Sequence, residues 1–406
     1  MRTEFKFIVI GAGIEGSATA YTLASIGCAD DTLLLEQFPI PHARGSSHGL
    51  SRGTRRVYGS LHYPYTHWMT GAYEKWSQLE RRSGEKLFTK TGLLWILHDG
   101  REAAQRVAEP MKRLGAPHEI LNAKQITERF PPLRFDDAAC FAVHDADAGV
   151  LHANRCLRAF QSEFRKLGGH LLDNTAVHAI IPASGDADQP LRLVTNAGEY
   201  RCEAVVLCTG AWGNKLLEPL QLRLPLKPTL TLVTYWKVND SKAYRENFPC
   251  LYAERKQEPW YIYALPAVDY PGLFKLCQNA PGYKTPSQQV DADARDQITE
   301  NSAESERSMW QNAQTYLREH CPAVQSESPA LIERCIITNT PDGHFILDRH
   351  PLYPNIIIGL GMAAHGFKLA PVVGDILAHL AMGKHPPYDL TPCRSARFKL
   401  AQKAQL

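Results

Sequence analysis

The 406-residue chain lacks the features that mark most special classes of protein. It has no run of about 18 uncharged apolar residues, the length a spanning helix needs, so no membrane partner is expected. Its start, MRTEFKFIVIG, has no basic segment followed by a long apolar run and a cleavage site, so no secretory signal is expected. Charge of one sign is scarce. Lys and Arg total 45 against 42 Asp and Glu, a net charge of +3. That is too little to make nucleic acid or an anionic surface the main partner. Ten cysteines are present, yet none stands in a CxxC or Cys/His metal spacing. Reduced thiols and no metal are expected. There is no internal repeat and no low-complexity linker. What remains is a globular composition, 44% hydrophobic and 21% charged, in a chain long enough for two or more domains.

FKFIVI (5–10) is a short run rich in Ile and Val, suited to a strand buried on both faces, as parallel sheets require. GAGIEG follows, then the Ala-rich SATAYTLASIG, a helix expected to end at Gly27. DTLLLEQ (31–37) predicts the second strand of a βαβ unit. AVVLCTGAW (204–212) and NIIIGLGM (355–362) predict further buried strands, the last leading into a helix at VVGDILAHLAM. One sheet therefore draws strands from the start, middle and end of the chain. Residues 86–145 and 221–325 carry Tyr, Trp and Pro with alternating segments such as TLTLVTYWKV (229–238), which predict antiparallel strands. The polar run 290–307 predicts an exposed loop before a helix around 309–320. The expected architecture is α/β, α+β overall. It has a discontinuous nucleotide-binding domain (1–85, 146–220 and 326–406) and a substrate domain inserted in two pieces (86–145 and 221–325).

Gly11, Gly13 and Gly16 form G-x-G-x-x-G. The first glycine permits a tight turn, the second lets a pyrophosphate approach the backbone, and the third lets helix and strand pack closely. Free N–H groups at the helix start favour phosphate. The pattern alone is weak, but here a strand precedes it, a helix follows it, and Glu36 ends the next strand 20 residues beyond Gly16. An acidic group there suits unmodified ribose hydroxyls, hence FAD or NAD. Thr209-Gly210-Ala211 at the end of one strand and Gly359-Leu-Gly361 at the end of another favour FAD.

Three further stretches carry chemistry. PHARGSSHGLSRGTRRVYG (41–59) holds four Arg and two His within 19 residues, mixed with Gly and Ser. It reads as a solvated basic loop or as a segment passing over a cofactor. Lys275, in GLFKLCQ, lies in an apolar strand, a costly position unless it faces a cavity or a partner. Cys335 stands before a strand, a turn (Thr338 to Gly343) and a second strand. A buried cysteine is usually a small hydrophobe.

VIGAGIEG, LLLEQFPIPHARGSSHG, KTGLL, GAWGNKLL, TNTPDGHFILDRHP and HGFKLAPVVGDIL, spread from residue 8 to about 397, together resemble the monomeric sarcosine oxidase family of flavoproteins. The animal peroxisomal sarcosine/pipecolate oxidase branch matches most. The resemblance implies a Rossmann-like FAD-binding domain of the glutathione-reductase type. It implies FAD joined through its 8α-methyl group to the Cys335 sulfur. It implies oxidation of the C–N bond of a secondary or cyclic amino acid to an imine, with O2 giving H2O2. A monomer is implied, acting on a small-molecule substrate. By the same match, Arg55 and Lys368 clamp the substrate carboxylate, Lys275 activates O2, and Tyr263 lines the substrate pocket. Ile14, Gln37, Arg44, Ser47, His48, Ser51, Arg52, Val177, Trp212, His365, Gly366 and Phe367 contact the flavin, with Gly210 and Gly361 at the strand ends.

Two positions depart from the family pattern. Asn279 stands where the family usually has His, and Ile337 where it usually has Tyr. Asn cannot titrate and Ile cannot hydrogen-bond, so a substrate bulkier than sarcosine is expected, such as L-pipecolate or L-proline. Other readings keep the fold: a dehydrogenase passing electrons to a quinone or protein, an amadoriase-like oxidase, or a flavin-binding module without catalysis. The C-terminal Ala-Gln-Leu approximates the small–basic–Leu address read in peroxisomes, with Gln405 in the basic position. A cytoplasmic or peroxisomal setting is expected.

Overall fold

Strands covered on both faces are mostly apolar, and Glu4–Ile10, with Glu4 and Lys6 exposed near its start, buries its remaining residues. In the computed structural model it lies between Thr32–Leu35 and Gly198–Leu207, parallel to both. The structure describes residues 2–59, 63–182, 190–240, 242–245, 247–254, 258, 260–279, 290–293 and 307–398. His170–Leu172 extends the sheet beyond Thr32–Leu35, and Ile356–Leu360 extends it beyond Gly198–Leu207. Antiparallel pieces close its edge.

Alternate residues serve alternate faces. Phe7, Val9, Leu34, Val206 and Ile357 meet a layer of four helices: Ile14–Leu23, Tyr63–Ser83, Ala153–Lys166 and Gly366–Ala381. Ile8, Ile10, Leu33, Val205 and Ile358 meet Leu216, Leu217 and Leu220 on the other side. Among the described residues no helix is long and apolar enough to cross a membrane.

A second sheet of eight strands runs in the order Leu331–Asn339, Lys227–Lys237, Leu273–Asn279, Tyr261–Tyr270, Cys250–Glu254, Leu93–Leu97, Phe141–Asp145, Glu119–Asn122. Its outer face buries Leu94, Leu251, Ile262, Phe274, Leu276 and Trp236 against helix Gln311–His320. A small sheet of Ser51–Thr54, Gly149–His152 and Phe88–Lys90 completes the strands.

Several details differ from the sequence reading. The strand expected over 204–212 ends at Leu207, and residues 210–212 form one tight helical turn with Gly210 at φ 51°. The strand expected over 355–362 ends at Leu360, because Gly361 turns the chain at φ 67°. Region 86–145 contains helices Arg101–Arg113 and Ala123–Arg129 besides strands. Leu93–Leu97 and Cys250–Glu254 pair in parallel, not antiparallel. Leu331–Asn339, assigned by sequence to the nucleotide-binding part, pairs over nine positions with Lys227–Lys237 in the second sheet. The following strand, Ile346–Arg349, returns to the first sheet. The turn between them therefore joins the two sheets. Most of the polar run 290–307 lies outside the described residues.

Candidate active site

The glycine loop is built for close approach. A Cβ on Gly16 would stand 1.9 Å from the Gly11 carbonyl oxygen, and one on Gly11, at φ 98°, would stand 2.5 Å from the Cys208 oxygen. Neither position accepts a side chain, so strand, turn and helix start are held at backbone distance. Glu36 is buried at the end of the next strand. Its carboxylate accepts the Ala12 N–H at 2.9 Å and the Phe38 N–H at 3.1 Å, with His42 Nε2 3.4 Å away. The basic segment folds back over this loop. Ser47 Oγ accepts the Ile14 N–H at 2.9 Å, at the first turn of the helix.

The basic loop is not a solvated tail. Arg52 donates to the carbonyls of Ser51 (2.8 Å), Ser46 (3.1 Å) and His48 (2.5 Å), and its guanidinium lies 5.5 Å over the Phe367 ring. His48 Nδ1 lies 2.7 Å from the Gly45 carbonyl. Ser46 Oγ donates to the Ile336 carbonyl, tying the loop to the strand that carries Cys335.

The second sheet supplies the opposite wall. Period-two alternation puts Lys275 and Asn279 on one face of their strand while Phe274 and Leu276 fill the core. Tyr261 and Tyr263, Tyr252, Trp95, Cys335 and Ile337 join them in facing one cavity of ≈ 1680 Å³. Ligand pockets commonly span about 300–1,000 Å³, so this one has room for a dinucleotide and a small second molecule. The glycine loop, Glu36 and the basic segment line the same space.

Arg55 is held among rings. Its guanidinium lies 4.6 Å from the Tyr252 centroid, 4.9 Å from Tyr58 and 5.1 Å from Trp95. Lys368, 6% exposed, lies 5.7 Å over Tyr58 and donates to the His365 carbonyl at 3.4 Å. Burial, then Arg55 and Arg52, push the Lys368 ammonium well below its usual range. Clustered cations of this kind, one of them buried, favour an anionic ligand, which relieves their mutual repulsion. Burial likewise raises the Glu15 carboxyl to about 7 beside the glycine loop.

Lys275 is 3% exposed and not isolated. Its ammonium donates to Ser51 Oγ (3.1 Å), the Ser51 carbonyl (3.2 Å) and Asp269 Oδ2 (3.4 Å). Asn279 donates to the Tyr261 hydroxyl at 3.0 Å, and Tyr261 stacks on Tyr252 at 4.9 Å. Cys335 is buried in its strand, opposite Thr231, with Sγ 3.7 Å from the Ile336 carbonyl.

All the sequence-predicted site residues line this cavity except Gly16 and Arg44. Gly16 acts one step back, through its contact with the Gly11 backbone. Arg44 lies 5.7 Å over the Phe38 ring and donates to the Asp293 carbonyl at 3.5 Å. Trp212 donates to the same Asp293 through its indole N–H at 2.7 Å. Val177 and Gln37 sit at the glycine-loop end, and His365, Gly366 and Phe367 at the start of the last helix. Sequence reasoning missed Tyr252, Trp95, Tyr261 and Asp269. Alternation along LYAE and YIYALP could have exposed the tyrosines. Asp269 meets Lys275 across the hairpin that joins their strands, where the register shifts between Leu265 and Tyr270.

The cavity fits a flavin dinucleotide on its own evidence. Arg55, Thr209 and Thr338 line it, and Arg55 Nε, Thr209 Oγ1 and Thr338 Oγ1 are each buried without a hydrogen-bond partner among the described residues. Buried polar atoms are normally satisfied, so three at one cavity call for a polar ligand.

Comparison with known proteins agrees. The family described as DAO, FAD dependent oxidoreductase, matches residues 6–380. The chain is 41% identical over 411 residues to peroxisomal sarcosine oxidase of Mus musculus, covering 100% of this chain and 99% of that protein. It is 31% identical over 409 residues to monomeric sarcosine oxidase of Bacillus sp. (strain NS-129), covering 100% of each. Among solved structures it resembles the open form of NikD, described as an unusual amino acid oxidase essential for nikkomycin biosynthesis. That match has a TM-score of 0.78 and 23% identity over 97% of each chain.

Proposed function

Because the chain belongs to the DAO family of FAD-dependent oxidoreductases, we propose that it is an oxidase of the C–N bond of a secondary or cyclic amino acid. The reading rests on one observation: the glycine cradle, Cys335, Lys275 and the Arg55–Lys368 pair open on a single cavity. Relatives named sarcosine oxidase support the substrate class.

Bound FAD supplies the hydride acceptor and returns the electrons to O2 as H2O2. The chain's own groups do the rest. Arg55 and Lys368 bind the substrate carboxylate and so orient the carbon that loses hydride. Tyr58, Trp95 and Tyr252 hold the Arg55 guanidinium and exclude water around it. Glu36 and the helix start at Ile14 receive the ribose and pyrophosphate. Lys275 holds positive charge where O2 is reduced. Cys335 is the covalent anchor through the 8α-methyl group. The enzyme acts as a monomer in the peroxisome or cytoplasm, and relatives named peroxisomal sarcosine oxidase support the former. Ala404-Gln405-Leu406 lies outside the described residues.

The anchor is tested by acid denaturation. The yellow colour is expected to stay with the polypeptide, and the peptide containing Cys335 to gain the mass of one FAD. Cys335→Ala is expected to release its flavin on the same treatment. Colour retained in Cys335→Ala would move the link elsewhere.

The substrate follows from the two departures. Ile337 gives the cavity an apolar wall, and Asn279 is committed to Tyr261 and carries no titrating proton. L-pipecolate or L-proline is expected to bleach the flavin faster than sarcosine in an anaerobic screen. Sarcosine outpacing every bulkier amino acid would overturn the inference.

A further inference from the structure

A chain of hydrogen bonds leads from Lys275 through neighbouring strands. Asp269 Oδ2 accepts from Lys275 Nζ at 3.4 Å, from Ser51 Oγ at 2.6 Å and from the Tyr235 hydroxyl at 3.0 Å. The Tyr235 hydroxyl also lies 3.3 Å from Glu333 Oε2, and Glu333 Oε1 accepts from the Tyr270 hydroxyl at 2.7 Å. Lys275, Tyr235 and the Asp269 side chain are buried, whereas Glu333 and Tyr270 are half-buried. The chain thus runs without a gap from buried Lys275 to half-buried Glu333 and Tyr270, which line the same cavity.

Its proton count is uneven. One tyrosine hydroxyl carries one proton and faces two carboxylates, so it can donate to only one of them at a time. Burial, then Asp269 and Glu333, keep Tyr235 firmly protonated. A proton arriving at Glu333 completes the set: Glu333 gives it to Tyr235 as Tyr235 gives its own to Asp269. No charged tyrosine is needed.

We propose that Glu333, Tyr235 and Asp269 form a proton relay that recharges Lys275 during reduction of O2. The proposal rests on the oxygen-activating role of Lys275 given above. Reduction of O2 to H2O2 consumes two electrons and two protons. With both electrons and one proton held on the reduced cofactor at neutral pH, one proton must come from elsewhere. Lys275 Nζ–H gives it to the reduced oxygen. Asp269 takes the proton of Tyr235 and passes it to the amine, and Glu333, protonated from water, restores Tyr235. No bond to carbon is made, and the only oxidant is O2.

Tyr235→Phe tests this, since it removes one hydroxyl and leaves Lys275, Ser51 and Asp269 in contact. Anaerobically reduced enzyme is mixed with O2 in H2O and in D2O. Tyr235→Phe is expected to reoxidise about tenfold more slowly than wild type, with a larger solvent isotope effect. That loss sits below the ~10²–10⁴-fold typical of positioned proton transfer because water substitutes in part. Reduction by substrate keeps its rate. Wild-type reoxidation in Tyr235→Phe, with Lys275→Met slow, overturns the relay and leaves the lysine's role standing. Wild-type reoxidation in both variants overturns the lysine's role as well. Equal losses in both half-reactions make the hydroxyl structural and overturn the relay.

Infrared difference spectra of reduced minus oxidised protein give a readout apart from turnover. A protonated-carboxyl band that shifts in D2O and vanishes in Glu333→Gln is expected. Its persistence in Glu333→Gln overturns the assignment.

Discussion

Lys275→Met is expected to reoxidise about 10²–10³-fold more slowly with O2, while anaerobic bleaching by the amino acid keeps its rate. That range is what removal of one preorganised electrostatic donor from a water-excluded site typically costs. Methionine preserves the length and apolar stem but removes the charge. Stopped-flow measurement of the two half-reactions separates the effects, and equal losses in both would refute the assigned role. The substitution also strips a buried cation from Asp269, which retains Ser51 and Tyr235 as donors. An uncompensated buried charge destabilises by about 3–5 kcal/mol, so a folding control is needed. Lys275→Met combined with Asp269→Asn removes both charges. Slow reoxidation in this doubly neutral variant shows that the loss does not come from an unpaired buried carboxylate.

Arg55→Ala is expected to weaken binding of carboxylate inhibitors by about 100-fold while leaving the flavin attached. Hydrogen bonds to charged groups contribute about 1.5–3 kcal/mol each, and 1.4 kcal/mol is tenfold in affinity. A bidentate contact would therefore lose about two decades or more, with Lys368 retaining part of the attraction. Arg55→Lys is expected to recover little. An ammonium cannot lie flat among Tyr58, Trp95 and Tyr252, nor bind a carboxylate in bidentate fashion. Inhibitor titration followed by the flavin spectrum reads both. Unchanged affinity in Arg55→Ala would place the clamp elsewhere.

The departures from the family pattern gain meaning in three dimensions. Asn279 reads in sequence only as a lost titrating group. In the structure it donates to Tyr261, which stacks on Tyr252, which lies over Arg55. It therefore supports Arg55 from two residues away without introducing a proton that titrates near neutral pH.

Legibility in the sequence followed the range of the interactions. The glycine loop, the first strand and Glu36 were readable because a βαβ unit is local and its motif spacing short, although the contact that excludes a side chain at Gly11 comes from distant Cys208. Cys335, Arg55 and Lys368 were readable through motif resemblance and not through their surroundings. Period-two alternation marked the second sheet, but not which strand neighbours which. Leu331–Asn339 was misassigned for that reason: its apolar pattern suits either sheet, and pairing with Lys227–Lys237 decided the matter.

By itself, then, the sequence determined a dinucleotide-binding βαβ start, a second alternating sheet, and the residue types able to bind a carboxylate and handle O2. Those depend on side-chain chemistry and on spacings of a few residues. Only the tertiary structure decided that strands 227–237, 261–270, 273–279 and 331–339 stand side by side. That pairing brings Asp269, Tyr235 and Glu333 into one hydrogen-bonded chain behind Lys275. The physical reason is that buried charges must find partners, and in a sheet the partner comes from whichever strand the register sets opposite, however distant in sequence.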